Sequence, residues 1–511
     1  MILYWCLLLF WWLATFSRAV LAISEDSWRN NSTTKVYAVR SQRDIMANIT
    51  IDQIPLLGVD LREVLFNEEL DDKTEILEVF NILLNTGVQS LILDIEMGTN
   101  AWIVSNTNVE LYDVLQVIKK FLDSTNTNLS ANLLFLMLRV NDSSKNVENL
   151  ENYNDANNIP YKTFDITEEL NLTTGLSYLY TPADLSSDRI KGETWDSNGL
   201  NQLDGWPTLS RFLYDVRKRL IITELTETLD TSSMPYIFNN SILHFDEGNS
   251  TLGCPTTFQD IVDTSLKSWR FLDAEFTSDD LPEYINCGYS AIISNRYTMK
   301  DISSLYALID RNLLWSWGYG EPENYKTKNK DKLEAFNCAA FIYTAHNFSA
   351  SWKVNNCYDD LPGLCASNDN MFAFLVTDDG ADYFDYDNFY RINCPDNYVF
   401  AIPHNPLQQR ALIQHLKNAS APNVNIWIDL NSIAVKNCWV TGGPYATCPY
   451  EKEMSRRNFT RMITPALVCS FGLLVIVTLL NLLNLPIHNN RSNWKRIVNK
   501  VSKSEIDGVP S

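Results

Sequence analysis

The spacing of cysteine divides this chain before any motif is read. Of ten cysteines, one is Cys6 and one is Cys469; the other eight lie between Cys254 and Cys448, and none lies between Cys6 and Cys254. The first half must therefore hold together by burying apolar side chains, whereas the second can be cross-linked if its surroundings are oxidising. Zinc is the poorer use of these thiols, because no histidine stands at ligand spacing among them.

Both ends of the chain speak to the surroundings. MILYWCLLLFWWLATF followed by SRAVLA, with small residues at Ala19 and Ala22, reads as a signal peptide over residues 1–22, with an uncleaved anchor as the alternative. ITPALVCSFGLLVIVTLLNLLNL, residues 463–485, is expected to cross the membrane as a single helix. The mildly basic residues 486–511 are then a cytosolic tail. These expectations describe a single-pass type I membrane protein of the endoplasmic reticulum with a luminal ectodomain. Asn-x-Ser/Thr acceptors begin at Asn30, Asn31, Asn48, Asn128, Asn141, Asn171, Asn239, Asn249, Asn347, Asn418 and Asn458, which predicts a glycoprotein. The net charge of −21 excludes direct nucleic-acid binding as a function class, since such a surface repels phosphate.

In the first half, KVYAV, SLILDI, LLFLMLR and KRLIITEL are strand candidates, and EILEVFNILLNTG is an amphipathic helix closed by Gly87. Helix, buried strand and polar loop in repetition predict an α/β fold, a β/α barrel over residues 35–260. Chemistry in such folds sits at strand ends, which here present Asp94, Glu96, Arg139 and Glu224, a set that either binds a metal or phosphate or only marks where strands meet water. His244 is the one histidine of the extended barrel region and joins them as a weak catalytic candidate.

SQRDIMANITIDQIPLLGVDL followed by NTGVQSLILDIE resembles the opening of phosphatidylinositol-specific phospholipase C barrels. That resemblance implies two histidines, a base and an acid, near the ends of early strands. Between Lys35 and Leu243 there is none; Arg43 and Asp44 occupy the expected region, and Trp102 and Ile103 follow the Asp94/Glu96 strand. An arginine stays protonated near neutral pH and cannot serve as the base. The barrel is expected to be non-catalytic.

Residues 283–366 resemble a C-type lectin-like domain, a disulfide-stapled α+β module, through Cys287, WSWGYGEPEN, Cys338 in FNCAAF, Trp352 and Cys357 in SWKVNNC, and Cys365 in LPGLC. The resemblance implies the pairs Cys287–Cys365 and Cys338–Cys357. It leaves Cys254, Cys394, Cys438 and Cys448 to the segment 367–455 and its junction with the barrel, with Cys438–Cys448 the preferred local closure. Calcium wants six to eight oxygen ligands. Glu321 and Glu323 keep carboxylates, but Phe336, Lys353 and Val354 replace the other ligands the resemblance calls for, so no metal and no cofactor is expected. Trp315, Trp317 and Trp352 are expected to frame the turn at Pro322; calcium-free glycan stacking on Trp315 and Trp317 is the alternative, if both are exposed.

Along its length, from the signal segment to CWVTGGPYATCPY and the last apolar run, the chain resembles the fungal maintenance of telomere capping protein 6 family. The family name implies a genetic connection with telomere capping rather than contact with telomeric DNA. The function expected is a non-catalytic luminal glycoprotein that scaffolds integral membrane partners, with lipid or glycan contact open. The alternatives are a phosphodiesterase-like enzyme acting on lipid headgroups and a calcium-independent glycan binder.

Overall fold

The computed structural model describes residues 33–66, 73–98, 101–141, 166–173, 177–226, 234–248, 253–297, 301–323, 335–386, 394–450, 456–484 and 490–504. The signal segment, Asn30, Asn31 and Asn249 lie outside them. The chain divides into residues 1–450 and 451–511.

A parallel sheet organises the larger unit. Its strands are β1 (Gly58–Asp60), β2 (Ser90–Met97), β4 (Leu134–Asn141), β5 (Leu220–Glu224), β6 (His244–Glu247), β7 (Arg270–Ala274) and β8 (Ser290–Ile293); β3 (Trp102–Val104) returns antiparallel on β2. They run in the order β5-β4-β2-β1-β8-β7-β6. β5 and β6 are the two ends of this order and do not pair among the described residues, although β5 makes an isolated parallel contact between Thr223 and Phe238, so the barrel is partial. The expected helix forms as Lys73–Thr86, ending at Gly87 with φ +115°, where a side chain would strike Leu313. KVYAV departs from expectation: it lies in the helix Thr33–Ile45, burying Val36 and Ala38. A short apolar run does not distinguish strand from buried helix.

Alternation along the strands decides which side chains enter the barrel. The register places Ser90 beside Phe135, Ile92 beside Met137 and Asp94 beside Arg139, while Phe271 and Asp273 follow the same parity on β7. Phe135 meets Trp269 at 4.6 Å and Phe271 at 5.1 Å across the lumen, between strands that are not neighbours. The lower layer of the barrel is thus filled with aromatic rings, and the charged layer lies above it.

The barrel boundary at residue 260 and the lectin-like boundary at 283 both shift. Strands β7 and β8 belong to the barrel, because β8 closes the parallel sheet onto β1. Beyond the barrel, β9 (Phe336–Thr344) pairs with β10 (Ser349–Asn356) and with β14 (Val424–Asn431), so the segment after residue 366 completes the same sheet. A second sheet joins β11 (Leu364–Ser367), β12 (Phe374–Val376) and β13 (Tyr398–Phe400). The disulfides are Cys254–Cys287, Cys338–Cys357, Cys365–Cys394 and Cys438–Cys448. The pair Cys287–Cys365 is corrected: Cys287 ends the helix Asp280–Asn286 before β8 and stays with the barrel, whereas Cys365 lies in β11.

The expected membrane crossing at residues 463–485 is also corrected: among the described residues no helix is long and apolar enough to cross a membrane. The helix Arg456–Asn484 is present. The single-pass type I reading, and the endoplasmic reticulum membrane placement built on it, fall with that span.

Candidate functional site

Arg139 is the centre of the barrel mouth. Its Nη1 donates to Asp94 Oδ1 at 2.9 Å and to Asp60 Oδ2 at 3.1 Å, and its Nη2 stands 3.6 Å from Asp273 Oδ2. The three aspartates come from the C-terminal ends of β1, β2 and β7 and are buried, while the Arg139 side chain is 18% exposed. Arg62 reaches Asp94 from the rim at 3.3 Å, and Arg296 pairs with Glu63 at 2.9 Å. The cavity above them holds about 710 Å³ and also carries Glu247 and Glu275 on its wall.

The electrostatics follow from burial opposed by pairing. Burial would lower the Arg139 pKa, but Asp60, Asp94 and Asp273 outweigh it and hold it above its usual value. Asp60 is raised, by burial first and by Asp94 next to it, against the pull of Arg139. Asp273 is pushed up to about 6 by burial, with Asp60 and Glu247 adding to the shift and Ser294 and Arg139 opposing it. It is the carboxylate most distant from the guanidinium, and Arg139 remains the charged hub.

The candidates read from sequence separate accordingly. Asp94 and Arg139 meet in the mouth. Glu96 lies farther along the strand, where Oε1 accepts from the Asn106 backbone at 3.4 Å, so it forms no metal pair with Asp94. Glu224 is buried in register with Leu138, on the parity that faces away from the lumen. His244 opens β6 at the opposite end of the barrel, with Nδ1 2.8 Å from the Ser268 carbonyl. Arg43 and Asp44 also sit away from the mouth: Arg43 donates to the Ala131 and Asn128 carbonyls and to Tyr450 Oη, and Tyr450 donates to Asp44. Among the described residues no group of three or more His, Cys, Asp or Glu is placed to hold a metal. Sequence reading missed Asp60, Arg62 and Asp273; the signal was present as an acid at the end of GVD and of RFLDA, at lumen parity.

Trp315 and Trp317 are each 4% exposed, which removes them as a stacking platform for glycans. They belong to the frame. Trp315 N and Ser316 Oγ donate to Gln42 Oε1, Trp317 Nε1 donates to Ser41 Oγ at 2.7 Å, and Trp352 Nε1 donates to Gln409 Oε1. The Glu321–Pro322 peptide is cis. Glu321 Oε2 accepts from the backbone of Glu323 and Val354 instead of facing solvent. Asp429, at the end of the module, accepts from Gly442 and Gly443 in CWVTGGPYATC and is pushed up to about 6 by burial. Asn48, Asn128, Asn141, Asn171, Asn239, Asn347 and Asn418 are exposed.

Fold and site together define a partial β/α barrel whose mouth carboxylates are held in ion pairs with Arg139, continuous with a disulfide-stapled antiparallel module. Residues 29–315 match the MTC6 partial TIM-barrel domain. The chain is 46% identical to the maintenance of telomere capping protein 6 of Vanderwaltozyma polyspora over 522 residues, covering 98% of each. It is 43% identical to that of Saccharomyces cerevisiae strain S288c over 499 residues, 96% of this chain and 94% of the relative. The chain belongs to the maintenance of telomere capping protein 6 family. Among solved structures, PLC21 from L. pealei matches with a TM-score of 0.31 at 11% identity, over 65% of this chain and 43% of that one. A mutant of phosphatidylinositol-specific phospholipase C from Staphylococcus aureus matches at 0.28 and 12%, over 55% of this chain and 100% of that one.

Proposed function

We propose that this chain is a non-catalytic glycoprotein of an oxidising compartment that scaffolds integral membrane proteins. The observation that carries the reading is the position of Arg139, whose guanidinium lies at the floor of the barrel mouth and engages the three aspartates a phosphodiesterase or a metal would need free. Four disulfides support the oxidising compartment. Exposed Leu200 and Leu203 offer apolar contact outside the mouth.

The relatives' name joins them to telomere capping. For this chain we infer an indirect part, because a net charge of −21 repels DNA and the disulfides belong to a different redox space from chromosomes. We also infer that β9, β10 and the Glu321–Pro322 turn form a lectin-like frame without a calcium site, since the Glu321 carboxylate is turned onto backbone amides.

Affinity isolation of the full chain from gently solubilised membranes, wild type against Asp94→Asn, tests the proposal. The same stoichiometric membrane partner is expected with both, and neither protein should release headgroup from phosphatidylinositol vesicles. Recovery of the chain alone, or headgroup release abolished by Asp94→Asn, overturns it.

A further inference from the structure

The last described helix of the chain is basic and amphipathic. Asn490–Ser504 runs for 15 residues and carries Arg491, Lys495, Arg496, Lys500 and Lys503 with no acid among them, in a chain whose net charge is −21. Trp494, Ile497, Val498 and Val501 follow the i, i+3, i+4, i+7 spacing, which sets them on one stripe about 100° wide. In the helix Leu111–Ser124 of the larger unit such a stripe is buried, through Leu111, Val114, Leu115, Ile118 and Leu122. Here the four side chains are 62%, 53%, 57% and 53% exposed.

Neither half of this pattern is met by the helix itself. Arg496 and Lys500 are four residues apart and Lys500 and Lys503 are three apart, spacings at which like charges repel, and no carboxylate between Asn490 and Ser504 offsets them. A helix of this length gains little from its own backbone in water and takes its stability from covering the apolar stripe. The occupant of this face has to supply apolar surface and negative charge together.

Length and charge fix how the helix would meet lipid. At about 1.5 Å per residue it is about 22 Å long, and with cations along its whole length it suits the plane of a bilayer rather than its roughly 30 Å of hydrocarbon. Helical spacing puts Lys495 on one border of the apolar stripe and Lys500 on the other, where their stems follow apolar surface while their ammonium groups reach headgroups, and puts Arg496 and Lys503 on the far face. Trp494 carries an indole that favours the headgroup level. A second observation selects lipid over an acidic protein that closes around one helix. In the preceding helix, Arg456–Asn484, the side chains of Leu467, Phe471, Leu474 and Leu483 are also at least 60% exposed. Such a protein would leave them in water, whereas a bilayer surface takes both helices.

We propose that Asn490–Ser504 lies along an anionic bilayer surface, its apolar stripe at the boundary of headgroups and acyl chains and its cations on the anionic headgroups. The contact goes beyond the scaffold reading, because it needs no protein partner and is read by lipid composition alone. The full chain is floated with vesicles of phosphatidylcholine and with vesicles containing about one-third phosphatidylserine, as wild type, as Lys495→Gln with Lys500→Gln, and as Ile497→Gln with Val498→Gln. Glutamine keeps good helix propensity in both variants.

Partition onto the anionic vesicles is expected to exceed that onto the neutral ones tenfold or more, each basic residue near the surface contributing about fivefold. The lysine variant should lose most of that excess, wild type should lose it at about 0.5 M salt, and the Ile497/Val498 variant should partition onto anionic vesicles about tenfold less. Partition common to both vesicle types reports Arg456–Asn484 and cancels in the ratio. Equal partition onto both vesicles, an anionic excess unchanged in either double variant, or capture by calcium-loaded calmodulin in place of either vesicle overturns the proposal.

Discussion

Replacing Arg139 by alanine should convert the most compact charge network of the barrel into its weakest point. The guanidinium contacts Asp94 at 2.9 Å and Asp60 at 3.1 Å and approaches Asp273 to 3.6 Å, and all three carboxylates are buried. At an effective dielectric of about 20, a contact of about 3 Å corresponds to about 5 kcal/mol of Coulomb attraction, most of it offset by desolvation. Removing one member leaves the desolvation without the offset, so Arg139→Ala should cost about 3–5 kcal/mol at pH 7.5.

The loss should depend on pH with a definite sign. Asp60 and Asp273, raised already by burial and opposed by Arg139, take up protons more readily when folded than when unfolded once that counter-charge is gone. Stability is then fullest below the unfolded value near pH 4 and falls as pH rises through the raised folded values. The variant should therefore be closer to wild type at pH 5 than at pH 7.5. The quadruple variant Arg139→Met, Asp60→Asn, Asp94→Asn, Asp273→Asn, which removes the charges together, should recover most of the loss. Denaturant titration with the disulfides intact measures all three proteins. An Arg139→Ala protein within about 1 kcal/mol of wild type at pH 7.5 would refute the argument, because a buried hub cannot be removed at the cost of a surface pair.

Asp429, pushed up to about 6, makes the folded chain bind a proton that the unfolded chain releases near pH 4. Its contribution is fully present below about pH 4 and fades as pH rises through about 6, and comparison of wild type with Asp429→Asn by thermal melts across that window should show a flatter profile in the variant. Gln42→Ala leaves the Trp315 amide and the Ser316 hydroxyl without their acceptor and should cost about 1–3 kcal/mol for each buried donor, measured by chemical denaturation; a neutral outcome means that the tryptophan segment is not anchored on the first helix. Non-reducing peptide mapping should recover Cys254 with Cys287 and Cys365 with Cys394, and a Cys287–Cys365 peptide would contradict the strand order around β8.

Local pattern carried much of this architecture. The helix Lys73–Thr86 and strand β2 were legible because apolar spacing and a closing glycine act within one turn or strand. KVYAV was not, since its few apolar residues suit either periodicity and only packing in the first helix decides between them. Asp94 and Arg139 were legible as strand-end charges, but their meeting was not. That required the β2–β4 register, which sets the two on one parity and sends Glu224 to the other.

The sequence by itself determined what depends on composition and short range: an α/β first half without cross-links, a second half rich in cysteine, a surface hostile to DNA and a set of Asn-x-Ser/Thr motifs. Tertiary structure alone decided which charges neutralise one another, that Cys287 joins the barrel through Cys254, and that Trp315 and Trp317 are frame rather than platform. The physical reason is separation along the chain. Arg139 and Asp273, Cys254 and Cys287, and Gln42 and Trp315 become neighbours only when the sheet closes and the helix Thr33–Ile45 packs against it, and no local periodicity records that closure.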